Sequence, residues 1–308
     1  MTMPPSPDVL GICRRYLVAL VLAVIGCDRS PIPPSANPDI KLHVLATVFP
    51  VADLVRQIGG QWVSVDWVVE GSRDPRDIEP SPELRRKMDQ ANFIVTSGYE
   101  DAWASQDLTQ NSRNERLLPP DVTPAGREDA RQSVGQAALW LDPEVAWQLC
   151  DAIRNKLSLL DPAHDPDYRA NAGALQEELR GIIAEYQPKF APLPQKKFLV
   201  LRPGWGALAE RFGLQEMHPI DAQPAGLTEQ QVRDLQKASM TAGTHVLVLD
   251  TLLPPALTRD IATRTGLRLL PLDFLGSSAS VGRHTYVELL RYDLEQLEKG
   301  LRGTGNTP

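Results

Sequence analysis

Cysteine is scarce in this sequence: the 308 residues contain three, at Cys13, Cys27 and Cys150. Three cysteines cannot form the disulfide framework that stabilises small secreted domains, so the fold must depend on a hydrophobic core. Positive charge is also in deficit, because 32 Lys and Arg stand against 39 Asp and Glu, for a formal net charge of -7. This balance argues against a basic surface for nucleic acid or anionic lipid.

Motifs for catalysis are missing as well. The sequence contains no Gly-x-Ser-x-Gly elbow, no glycine-rich phosphate loop and no His-Glu-x-x-His zinc motif. Its five histidines are scattered, with no pair at i, i+4: His43, His164, His218, His245 and His284. We therefore predict that the chain is not an enzyme.

A short apolar segment near the N-terminus indicates the cellular compartment. Arg14 and Arg15 precede an unbroken apolar run, Leu17 to Ile25, which is shorter than the about 20 residues of a membrane-spanning helix. This is the layout of a secretory signal, and residues 24 to 27 resemble a bacterial lipobox. We predict lipidation of Cys27 and an extracytoplasmic location in the cell envelope, anchored to a membrane. The alternative is an ordinary secretory signal with an incidental cysteine.

The remaining chain alternates between two kinds of segment. Short β-branched runs indicate strands at 42–47, 63–69, 92–97, 197–201, 244–250 and 267–273. Amphipathic segments indicate helices at 51–58, 82–90, 144–160, 207–212, 228–242, 255–265 and 286–301. This alternation predicts an α/β fold with mostly parallel sheets covered by helices.

One long helical pattern, Tyr168 to Gln187, interrupts the alternation and has strands on both sides. We therefore predict two α/β lobes joined by one long rigid helix. The predicted division is a signal peptide (1–26), a Pro-rich lipid-anchored tether (27–39), an N-terminal lobe (40–163), a linker helix (164–190), a C-terminal lobe (191–301) and a tail (302–308).

The order of several motifs resembles a known family. These motifs are VFPVADLVRQIGG (48–60), GSRDPRDIEPSP (71–82), ANFIVTSGYEDAW (91–103), ALWLDP (138–143), RPGWGALAERFGL (202–214) and PLDFLG (271–276). In this order they resemble the metal-binding solute-binding lipoproteins of zinc and manganese ABC importers. The resemblance implies a permease and an ATPase as partners, a metal ion as solute, and a monomeric receptor.

The same resemblance places four metal ligands in a cleft between the lobes. At the first three of these positions the sequence has Arg76, Ala138 and Arg202, and only the fourth, Asp273, keeps a metal-binding side chain. A guanidinium is always protonated and has no acceptor lone pair, so neither arginine can bind a metal. We therefore predict a degenerate site that binds zinc or manganese no tighter than about micromolar, which corresponds to about 8 kcal/mol. No cofactor is predicted beyond the zinc or manganese that the family implies.

Two interpretations of the arginines remain open at this point. Arg76 and Arg202, from opposite lobes, could clamp a small anionic solute, since each guanidinium can hold a carboxylate or phosphate with two hydrogen bonds. Alternatively, Arg76 pairs with Asp273 and locks the lobes together. Asp250, at the end of a predicted strand, is placed at the cleft edge in a capping or salt-bridging role, and Trp140 is a candidate for the cleft wall.

The predicted function is accordingly the extracytoplasmic solute-binding component of an ABC importer. The alternative is a receptor-like lipoprotein that has lost metal binding and binds an anionic solute or an envelope protein instead.

Overall fold

The computed structural model describes residues 41–69, 74–79, 81–97, 116–117, 138–218, 220, 226–250 and 253–303. Cys27, the predicted signal peptide and the predicted tether lie outside these ranges. The strands are β1 (Leu42–Ala46), β2 (Val63–Trp67), β3 (Phe93–Val95), β4 (Arg116–Leu117), β5 (Lys197–Val200), β6 (Gln215–Met217), β7 (Val246–Asp250) and β8 (Arg268–Leu272). The α-helices are α1 (Phe49–Gly59), α2 (Pro82–Gln90), α3 (Pro143–Leu160), α4 (Asp165–Phe190), α5 (Gly206–Arg211), α6 (Glu229–Ala242), α7 (Pro255–Thr265) and α8 (Tyr286–Leu301).

The strands form two four-stranded sheets. The first has the order β2-β1-β3-β4 and the second the order β6-β5-β7-β8, and every neighbouring pair is parallel. Parallel strands require covering layers on both faces, which the helices between them provide. The predicted α/β fold class with mostly parallel sheets is therefore confirmed. Below, the first half of the protein means the first sheet with α1–α3, and the second half means the second sheet with α5–α7.

Local sequence signals set where several helices begin and end. Asp142 caps α3 by accepting a hydrogen bond from the backbone N–H of Glu144 at 2.9 Å, and a proline follows it at the first helical position. Thr228 and Gln231 form a reciprocal capping box at the start of α6. The same helix ends at Gly243, whose φ of 65° is a left-handed conformation that favours glycine.

The long helix α4 connects the two sheets. Its 26 residues give a length of about 39 Å at 1.5 Å per residue. The buried positions recur at spacings of three and four, as an amphipathic helix requires: Tyr168, Ala172, Leu175, Leu179, Ile182, Tyr186 and Phe190. Helices α1, α3 and α8 pack against it.

The hydrophobic core continues from one sheet to the other. The main cluster of buried residues contains Val44 of β1, Tyr186 of α4 and Val248 of β7. A smaller cluster on the opposite face of the second sheet contains Leu199 and Leu247. Adjacent residues such as Leu247 and Val248 enter different clusters because side chains alternate along a strand. The exact lobe boundaries at 163 and 191 remain a prediction.

Among the described residues, no helix combines the length and the apolar character needed to cross a bilayer.

Candidate functional site

Arg202 lies at the carboxyl edge of the second sheet, two residues after β5, and reaches across to the first half of the protein. Its Nη1 donates to Oδ2 of Asp74 at 2.6 Å, and its Nη2 donates to Oδ2 of Asp250 at 2.8 Å. Asp250 is the last residue of β7, the strand beside β5, so both residues lie at the same edge of the sheet. Asp74 belongs to the segment between β2 and α2 in the first half. The Arg202 guanidinium therefore links a carboxylate from each half.

Asp74 also holds Arg76. The Asp74 carboxylate accepts from the backbone N–H of Arg76 at 2.9 Å, which starts a single 3₁₀ turn at Pro75–Asp77. It accepts as well from Nε of Arg76 at 3.1 Å and from Nη2 at 2.8 Å. Burial would raise the pKa of Asp74, but hydrogen bonds from Arg76 and the charge of Arg202 hold it below its ordinary value of 3.8. Asp74 is thus an ionised carboxylate between two guanidinium groups.

The charges of this network balance. Among the described residues, two guanidinium groups, of Arg76 and Arg202, contact two carboxylates, of Asp74 and Asp250, so the charges of these four groups cancel. Of the two interpretations left open, the structure does not show the pairing of Arg76 with Asp273: Arg76 is bonded to Asp74, two positions earlier, and Asp273 is bonded to Arg283. A short local contact wins over a long-range one here because the turn places both groups side by side.

Asp273 follows β8 and is held in its own loop. Its Oδ1 accepts from the backbone N–H of Leu275 at 3.2 Å and of Gly276 at 2.9 Å, and its Oδ2 accepts from Nη1 of Arg283 at 2.7 Å. Only 5% of the Asp273 side chain is exposed. Both oxygens are already bonded, so a metal ion at Asp273 would compete with the positive charge of Arg283.

Ala138 and Trp140 lie against the second half of the protein. The backbone N–H of Ala138 donates to the carbonyl of Gly204 at 3.0 Å, and Nε1 of Trp140 donates to the carbonyl of Phe274 at 3.2 Å. Both side chains are fully buried. The Phe274 ring also lies 6.0 Å from the Arg202 guanidinium carbon. The structure thus gathers all four predicted positions into one region, and Trp140 packs in the buried core beside it.

A second arginine, Arg211, forms an ion pair in the same region. Arg211 of α5 donates to Asp142 through two parallel hydrogen bonds, Nε to Oδ1 at 2.8 Å and Nη2 to Oδ2 at 2.9 Å. Tyr286, at the start of α8, donates its backbone N–H to Asp53 of α1 at 2.6 Å and its hydroxyl to the Trp140 carbonyl. The Arg211–Asp142 pair joins the two halves, and the bonds of Tyr286 attach α8 to the first half.

The described residues do not fit the metal that the resemblance implies. In the ranges given above, no group of three or more His, Cys, Asp or Glu side chains is placed to hold a metal ion. His43 lies 3.2 Å from Asp66, and His284 lies 2.9 Å from Glu288, each in a separate pair. A zinc site needs about four nitrogen, sulfur or oxygen donors around one point.

Glu216 is a residue that the sequence did not indicate. It lies in the short edge strand β6, and its Oε1 accepts from the backbone N–H of Gly204 at 3.3 Å. Its other oxygen, Oε2, is buried and has no hydrogen-bond partner among the described residues. Burial raises the pKa of Glu216 to about 7, although hydrogen bonds from Gly204 and Trp205 oppose the shift. Glu216 therefore supports the loop that carries Arg202.

The architecture defines the class: an α/β protein with two parallel sheets joined by one long helix. Solved structures share this fold. The crystal structure of ZnuA has a TM-score of 0.71 at 22% identity, covering 85% of this chain and 99% of that one. The Zn(II)-bound ZnuA-like domain of AdcA from Streptococcus pneumoniae has a TM-score of 0.73 at 20% identity, covering 85% and 100%.

Curated proteins are similar over almost the whole chain. The metal ABC transporter substrate-binding lipoprotein ScbA of Streptococcus cristatus is 24% identical, over 93% of this chain and 98% of ScbA. The iron-binding protein YfeA of Yersinia pestis is 24% identical, over 84% of this chain and 86% of YfeA. The family described as ZnuA, zinc-uptake complex component A periplasmic, matches residues 44–300. The chain belongs to this family.

Proposed function

We propose that this chain is the solute-binding receptor of an ABC-type importer. The observation that carries the proposal is the family match over residues 44–300, which includes both sheets, the connecting helix and the cleft. Relatives along this length are named as substrate-binding lipoproteins of metal or manganese ABC transporters. The chain would act as a monomer that delivers its solute to a permease driven by an ATPase, with no catalytic role of its own.

The receptor would be attached to the membrane through Cys27. The lipobox-like sequence at 24–27 and the Pro-rich segment at 28–39 support this arrangement, and two of the relatives, ScbA of Streptococcus cristatus and scaA of Streptococcus gordonii, are themselves named lipoproteins. Twelve extended residues reach about 40 Å, enough to hold the folded part clear of the lipid surface. Replacing Cys27 by serine should move the folded protein into the soluble fraction and remove the lipid mass. A wild-type protein that is fully soluble and carries no lipid would contradict the anchor.

The solute would not be held in the way that a four-ligand metal site holds an ion. Relatives are named for zinc, manganese and iron, whereas Arg76, Ala138 and Arg202 offer no metal-binding donors at the matching positions. We therefore propose that the chain keeps the import role of its family without the family's metal site.

The receptor role can be tested in the native host. Tagged wild-type protein is crosslinked in living cells and purified from solubilised membranes, and we expect an ABC permease and its ATPase to be enriched in that sample. Deleting the gene should reduce uptake of one solute from a panel of divalent metals and small anions, and the wild-type gene should restore it. Absence of any permease, together with unchanged uptake of the whole panel, would overturn the proposal.

A further inference from the structure

The region around Arg202 is where a receptor of the proposed function would hold its solute, and in that respect this inference rests on the proposed function. We infer that the Arg202 guanidinium is a built-in cation that joins the two halves of the protein through Asp74 and Asp250, in place of an exchangeable metal ion.

The geometry of Arg202 is that of a bridging ion. Its two terminal nitrogens point at two different carboxylates, at 2.6 and 2.8 Å, which are the distances of charge-assisted hydrogen bonds. One carboxylate comes from each half. The guanidinium is planar, always charged and rich in donors, so it can satisfy both groups at once.

The two carboxylates that Arg202 bridges are largely buried, which makes their pairing with a positive charge important for stability. The side chains of Asp74 and Asp250 are 7% and 10% exposed. Two carboxylates withdrawn from water are costly unless a positive charge accompanies them. Asp74 has Arg76 as a second partner, but only Arg202 contacts both carboxylates in the part of the chain described. Removing Arg202 would therefore leave a place in the cleft that attracts a cation.

Asp273, the fourth position at which the family has a metal ligand, is also not available for a metal ion in the cleft. Asp273 is bonded to Arg283 and to two backbone N–H groups, so it does not supply a donor to the cleft unless its own loop rearranges. A metal ion arriving beside Arg202 would meet its positive charge and find Asp74 and Asp250 occupied. The wild-type cleft is thus closed to divalent cations by charge and by lack of donors.

A tethered bridge behaves differently from a metal ion. An exchangeable ion can leave, and the two halves then lose that one of their links. The guanidinium of Arg202 is covalently part of the chain two residues after β5, so it stays in place whatever the metal concentration. The stability and conformation of this receptor should therefore be independent of zinc and manganese, because binding can shift an equilibrium only when the ligand prefers one state.

The test uses the full chain, purified in detergent and treated with a chelator. Wild-type protein should show no binding of Zn²⁺ or Mn²⁺ tighter than about micromolar by calorimetry, and its melting temperature should be unchanged by these ions. Arg202→Glu places a third carboxylate between Asp74 and Asp250, the hard oxygen ligands that Mn²⁺ accepts. This variant should bind at least one of the two metals at least about tenfold more tightly than wild type, a difference of about 1.4 kcal/mol.

Two further variants identify the site. Asp74→Asn or Asp250→Asn, added to Arg202→Glu, should remove the gain, because each takes away one ligand. If Arg202→Glu does not fold, Arg202→Met replaces it; Zn²⁺ or Mn²⁺ should then raise the melting temperature of that variant and not that of wild type.

Three results would overturn the inference. They are a one-to-one submicromolar metal site in wild type, a folded Arg202→Glu variant with no gain, and a gain that survives both asparagine changes. All these readings come from the purified chain, so a failure to find a permease would defeat the proposed function and leave this inference standing.

Discussion

Replacing Arg211 by methionine is expected to lower the free energy of unfolding by about 2 kcal/mol, because it removes a bidentate ion pair between the two halves. A hydrogen bond to a charged group contributes about 1.5–3 kcal/mol. Asp142, which is 8% exposed, would lose both bonds from Arg211 but keep the one from the backbone N–H of Glu144. The methionine stem retains most of the apolar packing, so the loss should stay near the lower part of that range.

Urea unfolding followed by circular dichroism measures this loss, and a thermal scan should show a fall of about 4–8 °C, given about 2–4 °C per kcal/mol for a domain of this size. Lys299→Met serves as the control, because Lys299 forms an exposed pair with Glu295 on one helix and should change stability by less than about 0.5 kcal/mol. In a double-mutant cycle, Arg211→Met and Asp142→Asn should show strong coupling. An effect of Arg211→Met no larger than that of Lys299→Met would refute the reasoning.

Three further predictions follow from buried groups. Burial raises the pKa of Glu216 from its ordinary 4.5 to about 7, so the native state binds this proton more tightly than the unfolded state does. The melting temperature of the wild type should therefore fall as pH rises between these two values and level off above them. Glu216→Gln should remove the part of the fall that comes from this carboxyl group. Cys150 is buried with its pKa raised to about 12, so a thiol reagent should label it only after denaturant is added, and rapid labelling of native protein would contradict its burial. Gly59→Ala should cost about 1–3 kcal/mol by urea titration, because the new Cβ would lie 2.4 Å from Cγ2 of Val63. Gly181→Ala, with nothing described within 4 Å, should instead be neutral or stabilising by about 0.5–1 kcal/mol, and equal losses in the two variants would defeat the steric argument.

The strands and helices could be predicted where one strong local signal dominated. The run that begins at Val246 is almost wholly apolar and becomes the central strand β7, and the apolar spacing from Tyr168 onward becomes α4. Strand β6 was missed because Gln215–Met217 is short and has Glu216 at its centre, so it shows no apolar alternation. Parallel pairing to β5, a tertiary effect, makes it a strand.

The cleft could be predicted in position but not in its bonding. Arg202 and Asp273 were placed from their motifs, yet the partner of Arg202 is 128 residues away in sequence at Asp74, and no local pattern joins them. The role of Arg283 depends on how the loop after β8 folds back on Asp273. Sequence alone therefore left two interpretations of the arginines. It placed Asp250 in a capping or salt-bridging role, and the structure pairs Arg202 with Asp250 and also with Asp74, the partner that the sequence did not indicate.

The most direct test of the built-in cation is a crystal structure of the full chain grown in excess Zn²⁺, with anomalous scattering measured at the zinc edge. We predict that Arg202 will donate to both Asp74 and Asp250 at hydrogen-bond distance, with no anomalous peak between the two sheets. A zinc peak in the cleft, with Arg202 turned away from the two carboxylates, would contradict the account.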